Sequence, residues 1–236
     1  MARPSAETLS SSTGTSVSTR ASSVYDRLQA DILMGELKPG EKLRLKDLID
    51  RYDTGNSPLR EALNRLSAKG MVVREENRGF RVPPAQREEL EELTRTRCWL
   101  EEIGLRESIA HGDSEWEERI VLAFHWLKRA AHREATEGEQ PYSKQVWEAH
   151  HQDFHIALIS ACGSDILLRY CAELHQRSYR YRNLAEVVEY RGMHELEEHQ
   201  ALQDAVLNRD TDLAVELLWK HYEVTSRILI ESGRFD

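Results

Sequence analysis

The stretch Leu45-Lys-Asp-Leu-Ile-Asp-Arg-Tyr-Asp-Thr-Gly-Asn-Ser-Pro-Leu-Arg-Glu-Ala-Leu63 decides how the first third of the chain folds. Leu45, Leu48 and Ile49 share one side of a short helix near Leu45 to Tyr52. Asp53 to Ser57 reads as a polar turn, and Pro58 takes a first helical position, where its missing N–H is harmless. Leu59, Ala62, Leu63 and Leu66 form the buried stripe of the helix that follows, which ends before Gly70. Upstream, Ser22 and Ser23 cap a helix whose apolar positions are Val24, Leu28 and Ile32 and which stops at Gly35. Leu37 to Leu43 is a turn around Pro39-Gly40, because the proline excludes a helix there. Downstream, Met71 to Val73 and Phe80 to Val82 read as two short strands, with Glu75 to Gly79 as the tip between them. Helix, helix, turn, helix and hairpin is the order of a winged helix-turn-helix.

The 236-residue chain has room for one more domain. Its charge divides along the same line. The formal net charge is −9, yet residues 1–84 hold 14 Lys and Arg against 11 Asp and Glu, leaving 18 against 30 for the remainder. A small basic module is joined to an acidic body, and nucleic acid responds to the local field within a Debye length. Residues 1–21 are rich in Ser, Thr and Ala without an apolar h-region, which excludes a secretory signal and predicts a disordered lead-in. No apolar run approaches the roughly 18 to 20 residues that span a bilayer. Cys98, Cys162 and Cys171 form no CxxC pair, which suits a reduced, cytoplasmic protein.

In Asn56-Ser-Pro-Leu-Arg60 polar groups cluster at a helix N-terminus, where a recognition helix meets base edges and phosphates. Asn56 and Ser57 can hydrogen-bond to DNA, and Arg60 can grip guanine or phosphate through two nitrogens. Lys46 is placed for a backbone phosphate. At the wing tip, Asn77-Arg78-Gly79 offers a cation beside a glycine that lets the backbone approach the minor groove. Any one of these basic residues is equally a solvated surface charge, as in an Arg60–Glu61 pair; the ordered set is the specific signal.

That set resembles the N-terminal domain of GntR-family regulators. The resemblance rests on Asp31-Ile-Leu-Met-Gly-Glu-Leu-Lys-Pro-Gly-Glu-Lys-Leu43, Ser57-Pro-Leu-Arg-Glu-Ala-Leu63 and Arg78-Gly-Phe-Arg-Val82, within about sixty residues matched without a gap. It implies DNA contact by Lys46, Asn56, Ser57, Arg60 and Gly79. The family usually has Arg before the Ser/Thr-Pro step, and this chain has Asn56, which favours adenine where Arg favours guanine.

Pro83-Pro84 ends the module and stiffens a linker over residues 84–87. From Glu88 onward the pattern predicts amphipathic helices near 88–111, 114–136, 142–161, 164–184, 193–209 and 211–231. Breaks fall at Gly112, Gly138 to Pro141, Gly163, the polar stretch before Gly192, and Asn208 to Asp210. The fold class is thus mainly α: a winged helix-turn-helix over 22–83 and an all-α bundle of six to seven helices over 88–236.

All ten histidines lie after position 110. His151 and His155 rise four apart from one face, shared with Trp147, Phe154 and Leu158. His199 lies with Leu196 and Val206, and His221 with Ala214, Leu217 and Thr225. Imidazoles from three helices directed at a core suit zinc, nickel or a related ion, although a histidine on an apolar face is also an ordinary core residue. His111, His125, His132, His150, His175 and His194 show no such constellation, and Asp153 points away from the His155 face.

The helical half is similar to the FCD ligand-binding domain of the FadR subfamily of GntR regulators. Arg97-Cys-Trp-Leu-Glu101, His151-Gln-Asp-Phe-His155, Glu198-His-Gln-Ala-Leu202 and Trp219-Lys-His221 carry that resemblance. Many members bind a divalent metal through Asp or Asn four residues before a His, plus two further histidines. His155, His199 and His221 match, and His151 replaces the acid, which leaves the shell without an anionic ligand. The resemblance implies a small carboxylate effector at an open metal position, with Arg97 as its second anchor or, alternatively, in a salt bridge to Glu101 one turn on.

These readings predict a homodimeric, sequence-specific DNA-binding regulator, read as a repressor, whose affinity for a palindromic operator responds to a small organic acid bound at a zinc or nickel site. The Pro83-Pro84 junction is the expected route between the halves. A metal-free structural core and a metal-dependent hydrolase fused to a DNA-binding module are the alternatives. Against the hydrolase, no HExxH pattern occurs and Glu148 and Glu198 have no assigned role.

Overall fold

A computed structural model describes residues 20–76, 78–132, 144–185 and 188–235, with the backbone alone for 20–22, 132, 144, 185 and 188–194. The lead-in before Arg20, Asn77, the break at Gly138 to Pro141 and the side chains of His132 and His194 lie outside the described residues.

The first unit contains α1 (Arg20–Leu33), β1 (Lys42–Leu43), α2 (Leu45–Tyr52), α3 (Asn56–Ala68), β2 (Val73–Glu75) and β3 (Gly79–Arg81). Leu28, Ile32, Leu59, Ala62, Leu63, Leu66 and Val82 are almost fully enclosed, so the predicted stripes of α1 and α3 pack on each other. Each such aliphatic side chain contributes roughly 1.5–3 kcal/mol relative to exposure. Tyr52 joins this core and donates through its hydroxyl to Asp31 Oδ2 at 2.6 Å, pinning α2 to α1.

Four local expectations change. Ser22 and Ser23 lie inside α1 and not at its cap position, because the helix already starts at Arg20, one turn before its buried stripe. Pro58 is the third residue of α3, not the first. It is tolerated because the first four N–H groups of a helix have no intrahelical acceptor. The Leu37–Leu43 turn ends in a strand, since Lys42 and Leu43 pair with Arg81 and Phe80 to make a sheet of order β1-β3-β2. Such pairing is long-range and leaves no local signal. Finally, β2 begins at Val73 and not at Met71. Met71 and Gly70 close the end of α3 instead, through Met71 N to Leu66 O and Gly70 N to Ser67 O, with Gly70 at φ 70°.

The second unit is built from α4 (Arg87–His111), α5 (Ser114–His132), α6 (Lys144–Ile159), α7 (Asp165–Ala185), α8 (Val188–Leu207) and α9 (Thr211–Glu231). The expected break before Gly192 falls between α7, which ends at Ala185, and α8, which starts at Val188 and runs on through Gly192. A single glycine costs a helix only about 1 kcal/mol, which packing readily outweighs. α4 packs against α6, α7 and α9. Gly104 permits the close crossing: a Cβ there would meet Leu167 at 3.0 Å and Ile159 at 3.1 Å. Trp116 donates to Ala157 O at 2.9 Å and ties α5 to α6.

The two units touch beyond the linker. α7 offers Asn183 Nδ2 to Leu33 O at 2.6 Å, Gln176 Oε1 to Gln29 Nε2 at 2.9 Å, and Arg177 Nη2 to Lys69 O at 2.9 Å. Arg180 of the same helix donates to Pro83 O, at the edge of the linker. One helix of the bundle therefore holds α1, the end of α3 and the Pro83-Pro84 junction.

Candidate DNA face and metal centre

Lys46, Asn56, Ser57, Arg60, Arg78 and Gly79 are all exposed. Asn56 and Ser57 open α3, so they stand beside N–H groups that lack helical acceptors and present the positive end of the helix. Arg60 Nε donates to Asn56 Oδ1 at 3.0 Å. The two residues thus form one polar unit on the outer face, and Asn56 steers the guanidinium. Gly79 opens β3 with φ 94°, a conformation that favours glycine.

In the helical unit, His151, His155, His199 and His221 are buried, and one ring nitrogen from each lies within 4.8 Å of the others. The hydrogen bonds assign the protons. His199 Nδ1 faces Glu195 O at 2.5 Å, and His221 Nδ1 faces a Glu198 carboxylate oxygen at 2.8 Å. Neither oxygen carries a proton, so each Nδ1 donates. Tyr222 gives its one hydroxyl proton to Glu101, and His155 Nδ1, 2.9 Å from that hydroxyl, must donate to it. All three Nε2 atoms therefore carry no proton. Yet His155 Nε2 is 3.2 Å from His199 Nε2, while His151 Nε2, at the same distance, is able to donate to His155. Lone pairs so close repel unless a cation lies between them. Two imidazoles on one tetrahedral zinc, at ~2.0–2.1 Å each, have nitrogens ~3.3 Å apart. The donor set fits a divalent ion.

Burial first, and then the neighbouring histidines, holds His151 and His155 far below the ordinary imidazole pKa, so both are neutral, as ligands must be. No carboxylate belongs to the four-histidine group, but Glu195, itself buried, comes to 3.8 Å from His151 Nε2. Asp153 is exposed, as expected.

Next to this cluster is a second layer that sequence reasoning missed. His175, read as lacking any constellation, is buried and sits 2.8 Å from Glu148 Oε1. Glu148 and His175 form a further close group with His151. Arg182 donates to the same Glu148 oxygen. Burial would raise the Glu148 carboxyl, but Arg182 and His175 outweigh it and hold the pKa below the usual range. Arg97 is ion-paired with Glu101 at 3.0 Å, stacks 4.0 Å over Tyr222, and reaches His175 Nδ1 at 3.3 Å. Of its two expected roles the salt bridge is present, and Arg97 also lines a cavity. That cavity is bounded by Thr94, Arg97, His151, Ser178, Arg182 and Ser226, among others, and touches His221. The available signal was the spacing of His175, Ser178 and Arg182, which puts three polar residues on one face of a long helix.

Comparison with known proteins places both units. The family profile described as "Bacterial regulatory proteins, gntR family" matches residues 20–82, and the FCD domain profile matches residues 92–224. The HTH-type transcriptional regulator BphR of Paraburkholderia xenovorans is 36% identical over 209 residues, covering 89% of this chain and 84% of its own. The HTH-type transcriptional repressor GlaR of Escherichia coli is 34% identical over 203 residues, covering 84% and 90%. Among solved structures, E. coli McbR/YncC superposes with a TM-score of 0.72 at 19% identity, over 92% of this chain and 100% of that one. A GntR-type regulator from Rhodococcus sp. RHA1 gives 0.71 at 22%, over 90% and 98%. At these identities the structural likeness speaks for the fold.

Proposed function

The chain belongs to the GntR family and carries an FCD domain behind its DNA-binding module, and from that premise we propose that it is a metal-dependent sensor of a small carboxylate. It is a DNA-binding transcriptional regulator and not an enzyme, as its families and relatives are regulators. The finer reading makes it a cytoplasmic repressor, with a DNA-binding domain over 22–83, a linker over 84–87 and a sensor domain over 88–236.

The observation that carries the sensor reading is the convergence of four buried histidines, each with a ring nitrogen within 4.8 Å of the others. His151, His155, His199 and His221 would hold zinc or nickel. The ion would supply a Lewis-acidic position for a carboxylate oxygen, next to the cavity that Arg97 lines. Lys46, Asn56, Ser57, Arg60, Arg78 and Gly79 would meet the DNA, the first of these through phosphate alone.

One such module binds weakly, and two-fold symmetric dimers read palindromic operators. The helical unit offers a face for a second copy: Trp99 and Ile103 on α4 and Ile166 and Tyr170 on α7 are each more than half exposed, at helical spacing, on helices that pack together.

The test is a gel-shift titration on an operator selected from random DNA, with zinc-loaded and chelated protein and a panel of small organic acids. The expected result is DNA binding as a dimer and an acid that changes affinity only when zinc is present. Protein that takes up no zinc or nickel in isothermal titration, or DNA affinity indifferent to every bound acid, overturns the sensor reading.

A further inference from the structure

Behind His155 runs a chain of buried hydrogen bonds that crosses three helices. Arg97 and Glu101 on α4, Tyr222 on α9 and His155 on α6 are all buried. Arg97 Nε donates to Glu101 Oε1 at 3.0 Å, and its guanidinium lies 4.0 Å over the Tyr222 ring. The Tyr222 hydroxyl donates to the other oxygen of Glu101, Oε2, and stands 2.9 Å from His155 Nδ1. An arginine has only donors and an ionised carboxylate only acceptors, so each bond of the chain has one direction. Glu101 accepts from both sides, Tyr222 spends its single proton on Glu101, and His155 donates through Nδ1. A neutral imidazole carries one proton. Nε2 of His155 is therefore without one, on the side where His151 and His199 each bring a ring nitrogen to 3.2 Å.

We infer that Arg97, Glu101 and Tyr222 are positioning residues for the metal ligand His155: they hold its proton on Nδ1 and so keep Nε2 free for the ion. The inference rests on the sensor reading above and gives Arg97 a task other than anchoring an effector. Its charge is paired with Glu101, and it is the fixed donor at the far end of the chain. From there it sets the direction of every later proton. With all four side chains shielded from water, a donor or acceptor left unmatched is costly, which makes the direction strict. An isosteric change reverses it. In Glu101→Gln the one remaining side-chain oxygen is claimed by Arg97, which has nothing but donors. The amide nitrogen then faces Tyr222 and donates to it, and the hydroxyl proton turns toward His155. Nδ1 becomes an acceptor, and the ring proton moves to Nε2, where the ion would bind.

Nitrogen-15 NMR of the imidazoles in the metal-free full chain, together with isothermal titration of zinc, tests the inference. In wild type His155 is protonated on Nδ1, a readout that needs no variant. Glu101→Gln moves that proton to Nε2 and lowers zinc affinity roughly 10–100-fold, with helical content unchanged. Tyr222→Phe removes the acceptor of Nδ1–H and lowers zinc affinity over the same range. A purely structural role would change folding and leave the proton on Nδ1. A wild-type His155 protonated on Nε2, or Glu101→Gln protein with an unmoved proton or with wild-type zinc affinity, overturns the inference. The proton readout uses no metal, so the two readings fail separately. If the proton moves as stated while wild type takes up no zinc, the chain stands and the sensor reading falls.

Discussion

Nδ1 of His221 on α9 stands 2.8 Å from a carboxylate oxygen of Glu198 on α8, and Glu198 directly precedes His199, another member of the cluster. One helical turn thus contributes a ring nitrogen and also the acid that orients the ring opposite. A carboxylate behind a ligating histidine fixes its tautomer and raises its basicity. Glu198→Gln should therefore lower zinc affinity by roughly 10–100-fold in isothermal titration. The helical content should stay intact, because Glu198 is about a third exposed. Equal affinity in the variant would mean that the acid does nothing for the ring.

Acid should loosen the metal-free protein well before its carboxylates titrate. Burial, against the pull of Glu148, pushes His175 down to about 4, and His151 and His155 shift in the same direction. Each folded pKa lies below the unfolded value near 6.5, so the unfolded chain binds protons first as pH falls. Stability is full above that value and drains away between about 6.5 and 4, with His175 alone contributing on the order of 3 kcal/mol. Zinc competes with protons for the cluster and should move the loss to lower pH. Melting followed by circular dichroism from pH 8 to 4.5, with and without zinc, checks this. A metal-free Tm that does not fall between pH 7 and 5 would contradict it.

On the DNA face, the Asn56–Arg60 bond separates two kinds of contact. Arg60→Ala should cost about 1–3 kcal/mol on the selected operator and relax base preference at one position. Lys46→Ala should weaken binding alike on all sequences and reduce the slope of log affinity against log salt by about 1. Gel shifts at several salt concentrations measure both. If Lys46→Ala leaves the salt slope unchanged, that lysine does not touch phosphate.

What the sequence made legible follows from which forces are local. α2 and the stripe of Leu59, Ala62, Leu63 and Leu66 were readable because helical periodicity and burial coincide there. The four histidines were readable because each lies on an apolar face. β1 was not, since a two-residue strand exists only through its partner β3. His175 and Arg182 were not either. Their meaning comes from Glu148 on another helix, and a histidine and an arginine two turns apart look like any solvated face. The same holds for the grip of α7 on the DNA module, which no periodicity announces.

That grip leads to the last expectation. α7 carries Ser178 and Arg182 to the cavity and His175 to Glu148, while Gln176, Arg177, Arg180 and Asn183 hold α1, the end of α3 and Pro83 at the edge of the linker. An acid bound in that cavity acts on the helix that positions the DNA module. The linker needs no separate signal, because Arg180 of α7 already holds Pro83 O. An effector changes operator affinity only as far as it favours one arrangement of the two units. Asn183→Ala removes the 2.6 Å bond to Leu33 O and touches neither the cluster nor the cavity. It should leave zinc and carboxylate binding within experimental error, and cut the ratio of operator affinities with and without acid by about threefold to tenfold. Gel shifts with the acid found in the titration above measure that ratio. An unchanged ratio would exclude this α1–α7 contact from the coupling and leave the linker as its carrier.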